Sequence, residues 1–192
     1  MPLEFSYKRE ILRKILHLST CVFAIMLLYF GKKICIPVFL SLAIIFFVLD
    51  FLRLKNKHIQ RLYNIFFGIV TKHYEERQLT SASYVFLSLI IIAIVFEVRI
   101  ASAALLIMSL SDPIASLIGR AYGKFHIFDK TLEGSIAFFI VSVMILLSFD
   151  FSSDVILSVA VLCTLIELFS SRIHIDDNLS VPIAASVLLF IF

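Results

Sequence analysis

Charge is scarce in this sequence. Lys, Arg, Asp and Glu make up 16% of 192 residues while 61% are apolar, a balance that excludes a soluble domain of this size and places the chain in a membrane. Neither sign dominates: 17 basic against 14 acidic side chains leave a net +3, which excludes both a strongly basic nucleic-acid binder and an acidic disordered tail. Only three cysteines occur (Cys21, Cys35, Cys163), all inside apolar runs, so there is no disulfide framework and no zinc spacing. No Gly-Lys-Ser/Thr triplet exists, which removes a Walker A loop, and no internal repeat or inverted pair of broken helices points to a repeat-built transporter. Glycine is rare too. Of the five, three (Gly119, Gly123, Gly134) fall within sixteen residues of one another.

What is abundant is apolar sequence in long runs bounded by charge. A helix needs roughly 20 such residues to cross ~30 Å of hydrocarbon. Candidate spans are 11–30, 34–51, 81–96, 100–118, 134–149, 155–169 and 179–192, which predicts an all-α, polytopic membrane bundle of about seven transmembrane helices in a single domain over 1–192. A cleaved signal peptide is disfavoured, because the first run continues to Phe30 with no Ala-x-Ala site and its basic flank merges into the helix. Connections then alternate between two sides, and 14 of the 17 Lys and Arg fall on the side of the N-terminus, leaving Lys32, Lys33 and Arg99 on the other. The positive-inside rule puts the N-terminus and the large loops in the cytoplasm and the C-terminus outside. Segment 55–80, apolar at Ile59, Leu62, Phe66 and Phe67 beside Arg61 and His58, reads as a helix at the interface or as an ordinary connecting helix. His58, His73, His126 and His174 share no ligand spacing and read as interfacial.

Chemistry concentrates in four places. Ser111-Asp112-Pro113 lies within the fourth span, and Pro113 disfavours helical geometry at the residue before it, so the helix is expected to break there with Asp112 at a new helix N-terminus. An isolated Asp at that depth costs ~3 kcal/mol or more, and a divalent cation is the obvious partner; a Pro-kinked helix merely capped by Asp112 is the alternative. Gly119, Arg120, Gly123 and Lys124 follow, cations beside glycines that let a backbone approach phosphate oxygens. Next come Lys130, Thr131, Glu133, Gly134 and Ser135, which suit a nucleoside triphosphate or equally a plain helix start capped by Thr131. Beyond them stand Glu167, buried in a short apolar span, and Asp176-Asp177-Asn178, which suit a hard cation that keeps several waters or simply a turn into the last helix. Finally Arg9, Arg13 and His17 make a basic stripe on the first helix, able to hold phosphate or to anchor the chain at headgroups.

These motifs, in this order, resemble the dolichol kinase, phytol kinase and CTP-dependent diacylglycerol kinase family: Arg13-Lys14-Ile15-Leu16-His17, then Ser111-Asp112-Pro113 with Gly119-Arg120 and Gly123-Lys124, then Lys130-Thr131-Leu132-Glu133-Gly134-Ser135, then Glu167 with Asp176-Asp177-Asn178 through Pro182. The resemblance runs from the first helix to the last. It implies a polytopic membrane enzyme that moves the γ-phosphoryl group of a nucleoside triphosphate, usually CTP, to a lipid alcohol such as a polyprenol, phytol, dolichol or diacylglycerol. It further implies magnesium on Asp112, triphosphate contacts from Gly119, Arg120, Gly123 and Lys124, and a nucleotide site completed by Lys130 and Glu133. Two departures stand out, since the family commonly has Gly-Asp where this chain has Ser111-Asp112, and Pro113 replaces a small polar residue. Enzymes that make CDP-lipids share a similar pattern, so a cytidylyltransferase acting on a lipid phosphate is the competing enzyme, and a small transporter or scaffold the competing non-enzyme. Asp112, Glu133, Glu167 and Asp177 are all general-base candidates by residue type. The orientation has a direct check: a reporter fused after Phe192 is expected outside the cytoplasm, and reproducible cytoplasmic signal would remove a span from the topology.

Overall fold

Long apolar runs leave the backbone no partner but itself, and helices satisfy their N–H and C=O groups internally. In the computed structural model, which describes residues 2–68, 71, 78–173 and 176–192, the chain is accordingly helical apart from one two-stranded hairpin. The first two helices are α1 (Pro2–Ser19) and α2 (Cys21–Lys55). From Arg9 to Lys55 the helical stretch runs 47 residues, which as one rod would measure about 70 Å, twice a bilayer core. It is not one rod. Gly31 takes φ 68°, ψ 177°, a backbone region open essentially to glycine alone. The rings of Phe23 and Phe39 lie 5.8 Å apart at 88°, whereas sixteen residues of straight helix would separate them by about 24 Å. The chain therefore folds back at Gly31, the midpoint between them.

The remaining elements are α3 (Lys57–Phe67), α4 (Ser81–Val95), α5 (Val98–Leu106), a π-helical turn (Ile107–Ser111), α6 (Asp112–Tyr122), β1 (His126–Ile127), β2 (Lys130–Thr131), α7 (Leu132–Leu147), α8 (Ser153–Ile173) and α9 (Asp177–Ile191). Three stretches, Arg9–Lys55, Val98–Tyr122 and Ser153–Ser170, are long and apolar enough to cross a membrane. Helices α4, α7 and α9 have 15, 16 and 15 residues, short of the ~20 a full crossing takes. The structure thus supports an all-α membrane protein with helices of unequal length rather than about seven full-length spans.

The expected break in the fourth span takes a different form. Ser111 and Asp112 both keep right-handed helical angles, and 98–122 is one continuous helical stretch. Pro113 is accommodated by widening the turn before it into a π-helix, in which bonds run to i+5 instead of i+4. Asp112 therefore does not open a new helix, and it presents no free N–H groups to a phosphate.

Two apolar clusters flank this span. Leu27, Phe39, Leu89 and Ile92 centre the first, which α5 and the π turn join through Leu105 and Met108; Phe138, Leu146, Val159 and Val181 centre the second, joined through Ala104 and Ile107. At one end of the bundle Lys32 Nζ reaches Ile94 O at 3.3 Å, Arg99 holds the Phe149 and Asp150 carbonyls, and Phe96 packs on Phe190 near the C-terminus. The opposite end is polar. There Asp50, buried at 1% exposure, accepts from Arg53 Nε at 2.6 Å, Thr80 N at 2.7 Å, Thr80 Oγ1 at 2.9 Å and Ser83 Oγ at 2.6 Å, tying α2 to α4 through a charge with every neighbour in place. Helix α3 leads away from this end with Leu62, Ile65 and Phe66 exposed, as an interfacial helix requires. Ile69, Val70, Lys72, His73 and Arg77 of the same segment lie outside the described residues, as do His174 and the side chains of Lys8 and Arg172.

Candidate functional site

At the polar end, α1, α6, the β1–β2 hairpin, α7, α8 and the start of α9 surround a cavity of about 520 Å³, within the range of small-molecule clefts. Its inner side is set by α1 and the start of α6. Lys14 Nζ lies 2.7 Å from Asp112 Oδ2, and both residues are buried, at 8% and 7% exposure. The neighbouring π turn presents the Met108 carbonyl to α1. His17 Nε2 sits 3.1 Å from that carbonyl, and since a carbonyl oxygen only accepts, the nitrogen must carry the proton. His17 Nε2 is also 4.0 Å from Asp112 Oδ2. Thus Lys14 and His17, one helical turn apart on α1, reach the Asp112 carboxylate and the Met108 carbonyl of the central span.

Glu10 pairs with Arg13 and lies 3.6 Å from Arg120 Nη2, so two guanidiniums share one carboxylate at the mouth of the cavity. On the far side Lys130 Nζ pairs with the Glu167 carboxylate, donates to Glu167 O at 2.6 Å and stands 3.7 Å from Asp177 Oδ2. Burial alone would lower the Lys130 pKa, but the Glu167 and Asp177 carboxylates outweigh it and raise the value above that of an ordinary lysine.

The clustered glycines answer a packing problem. A Cβ on Gly119 would fall 2.6 Å from Thr131 Oγ1, and one on Gly134 would fall 2.9 Å from the Ala115 carbonyl. Their absence lets α6 and α7 approach closely around Thr131, whose Oγ1 accepts from Gly134 N at 3.2 Å as the N-cap of α7. Gly123 adds to the same socket, its Cβ position being 2.6 Å from Thr131 Cγ2. Ser111, by contrast, is spent on α7, receiving a bond from Ser142 Oγ at 3.0 Å.

The cavity brings together Arg13, Asp112, Gly119, Arg120, Gly123 and Lys130 with Thr131, Gly134, Ser135, Glu167 and Asp177. Other residues singled out in the sequence lie off its lining. Glu133 is half-buried, its carboxylate accepting from Lys124 N at 2.9 Å and from Phe125 N at 3.4 Å, so it shapes the loop after α6. Hydrogen bonds from its own amide and from those of Lys124 and Phe125 hold its pKa below the usual carboxylate value. Lys124 is exposed beside that loop. Asp176 caps α9, with Oδ1 accepting from Asn178 N at 3.0 Å and Asn178 Nδ2 at 2.7 Å, which accounts for Asn178 as well. His17 stands just behind the lining.

The sequence placed Glu10 and Lys14 beside the basic stripe of the first helix without giving either a role in the site, read His126 as interfacial and gave no sign of Asp129. For Lys14 a signal existed: Asp112 needed a cation at its own depth, and Lys14 lies one turn before His17 on the helix face that enters the membrane. His126 and Asp129 reach the cavity only because a tight hairpin turns them inward, with Phe128 at φ 57° between the strands. Among the described residues no group of three or more His, Cys, Asp or Glu is arranged to hold a metal ion.

No protein-family model matches the chain, and no solved structure matches it. The uncharacterized protein MJ1137 of Methanocaldococcus jannaschii is 30% identical over 184 residues, 94% of this chain and 93% of that protein. The chain belongs to the family of that archaeal protein. Another relative, the uncharacterized protein RP860 of Rickettsia prowazekii, is 26% identical over 98% of the chain and 96% of its own length. A third, CTP-dependent diacylglycerol kinase 1 of Schizosaccharomyces pombe, is 28% identical over 209 residues, 98% of this chain and 95% of that enzyme. That full-length similarity supports the broad kinase family for this chain.

The socket around Thr131 generates a test. Gly134→Ala drives a Cβ against a backbone carbonyl that cannot move aside, and Gly119→Ala displaces the capping hydroxyl. Each is expected to destabilise the protein by ~1–3 kcal/mol, seen as a lower thermal midpoint in detergent; a Gly134→Ala midpoint equal to that of the unaltered protein would show that α6 and α7 do not pack this closely.

Proposed function

We propose that the protein is a CTP-dependent kinase that phosphorylates a membrane lipid alcohol. One observation carries the reading: full-length similarity to a CTP-dependent diacylglycerol kinase coincides with a single cavity that gathers the cations and carboxylates dispersed between residues 13 and 177. Phosphoryl transfer asks for positioning and charge neutralisation more than for covalent protein chemistry, and this cavity is built of charged side chains on rigid helices. The helices, alternating between the two ends of the bundle, make seven crossings of the cytoplasmic membrane as one domain over 1–192. The cavity end and the N-terminus face the cytoplasm, where nucleotide is found, and the C-terminus faces out. The acceptor is an isoprenoid alcohol such as a polyprenol, phytol or dolichol, or a diacylglycerol.

In this reading Arg13 and Arg120 supply the charge for the triphosphate. Two guanidiniums against the single Glu10 carboxylate leave an excess positive charge at the mouth, and an incoming phosphate can replace Glu10 on either. Magnesium fits as an ion carried in with the nucleotide rather than as a resident one. Asp112 and Asp177 line the cavity, but each has a lysine ammonium within 4 Å, and magnesium normally takes one or two carboxylates plus substrate phosphates and water. Those two carboxylates would hold it, and the ion would neutralise charge on the phosphates. Lys14 orients Asp112 towards that position, and His17 keeps the turn beneath it in register.

The deciding experiment incubates purified protein with γ-labelled CTP, magnesium and a panel of lipid alcohols in mixed micelles. Label is expected on a lipid, with release of CDP. Transfer to no alcohol, or formation of pyrophosphate and a CDP-lipid, contradicts the assignment.

A further inference from the structure

Two buried oxygens that line the cavity are left without partners among the described residues: Glu167 Oε2 and Ser135 Oγ. Neither is idle by accident of exposure, since Glu167 is 3% and Ser135 6% exposed. A buried carboxylate oxygen with no donor carries the full desolvation penalty, so it marks a place where a donor belongs. The serine is equally telling. Several helical hydroxyls here donate to the carbonyl four residues back, as Ser41 does to Pro37 O, Thr164 to Ala160 O and Ser186 to Pro182 O, whereas the buried hydroxyls of Ser102, Ser135 and Ser180 have no partner among the described residues. Of these three, Ser135 is the one that lines the cavity. Both atoms belong to the lining of one cavity, where Lys130 of β2 grips the other half of the Glu167 carboxylate.

We propose that Glu167 Oε2 and Ser135 Oγ seat the hydroxyl of an uncharged lipid alcohol, and that Glu167 receives its proton. This rests on the kinase reading above and adds the acceptor to it. A hydroxyl satisfies both orphans at once, its O–H donating to Glu167 and its oxygen accepting from Ser135. A divalent cation suits the place less well, since the Lys130 ammonium already occupies the same carboxylate. A lipid phosphate suits it least. Lys130 faces two carboxylates, Glu167 and Asp177, so this side of the cavity is acidic overall and repels an anionic acceptor. The nucleotide's anionic end therefore belongs on the Arg13 and Arg120 side, and the neutral alcohol here.

The surroundings suit a substrate that keeps its tail in lipid. Leu132, Ile136 and Ile140 form an exposed apolar stripe along α7 beside Ser135, and Phe128 packs at 5.5 Å on Phe169, two residues from Glu167. In the step itself the alcohol oxygen bonds to the terminal phosphorus of CTP, and the bond from that phosphorus to the β-bridging oxygen breaks. The electron pair leaves on CDP, and the hydroxyl proton passes to Glu167 Oε2.

The test uses the full-length protein in mixed micelles with magnesium and CTP. Dioleoylglycerol and a long-chain polyprenol are the neutral acceptors, and phosphatidate is the anionic one. Glu167→Gln is expected to lower kcat for alcohol phosphorylation about a hundredfold or more while labelled CTP still binds. Ser135→Ala leaves the Lys130 pair intact, and should raise the KM for the alcohol roughly three- to tenfold with the KM for CTP unchanged. It decides the matter if the first variant does not fold. Phosphatidate should yield no CDP-lipid. Full turnover in Glu167→Gln, equal KM values for the alcohol in Ser135→Ala and the unaltered protein, or CDP-lipid from phosphatidate would each overturn the seat. If the unaltered, CTP-binding protein phosphorylates neither alcohol, it is the kinase reading that falls.

Discussion

An ammonium and a carboxylate held 2.7 Å apart inside an apolar bundle are expensive to bring together and more expensive to separate. Removing one partner of such a pair typically costs ~3–5 kcal/mol, because it strands the other charge. Lys14 and Asp112 are that pair. They fasten α1, whose basic stripe would otherwise only face headgroups, to the π turn of the central span. From that contact follow the depth of α1, the placement of His17 on the Met108 carbonyl and the presentation of Arg13 beside Arg120 at the cavity mouth. Pro113 belongs to the same place: the helix widens into a π turn just before it, and the Met108 carbonyl of that turn meets the His17 imidazole.

The cavity is consequently two-sided. On the α1 and α6 side two arginines share Glu10, and on the side of the hairpin, α8 and α9 one lysine faces two carboxylates. A pocket with opposite charge balance at its two ends can orient an anionic donor and a neutral acceptor against each other, which is the positioning that phosphoryl transfer between them requires. On the proposed reading the packing glycines serve this indirectly. By letting α6 and α7 close around Thr131 they bring Arg120 and Ser135, and with Ser135 the hairpin that carries Lys130, to one cavity.

Much of this was legible beforehand. Apolar runs bounded by charge located the helices to within a few residues, because at ~1.5 Å per residue the hydrocarbon thickness leaves little freedom. Asp112 and Glu167 were legible as carboxylates too costly to leave alone in a membrane, and Arg13, Arg120 and Lys130 as cations able to hold phosphate; that all five line one cavity appears only in the fold. The details of pairing were not legible either. Asp112 could have been met by an ion as well as by a lysine, and only the packing of α1 decides. The π turn was hidden as well, since a proline signals that a helix must adapt but not whether it breaks or widens. Glu133 looked like a ligand by type and spacing, yet it spends its oxygens on the Lys124 and Phe125 amides. The Asp50 network escaped because its donors sit about thirty residues away at Thr80 and Ser83.

The dependence on the Lys14–Asp112 pair is open to a double-mutant cycle. Lys14→Gln, Asp112→Asn and the double variant can be compared by unfolding free energy in mixed micelles. If the pair holds α1 to the central span, each single change should cost several kcal/mol, about 3–5 by the usual behaviour of buried pairs. The double variant should then cost clearly less than the sum, by ~1–3 kcal/mol. Additive losses with no coupling would contradict it, and would mean that α1 is held in place by something other than this bond.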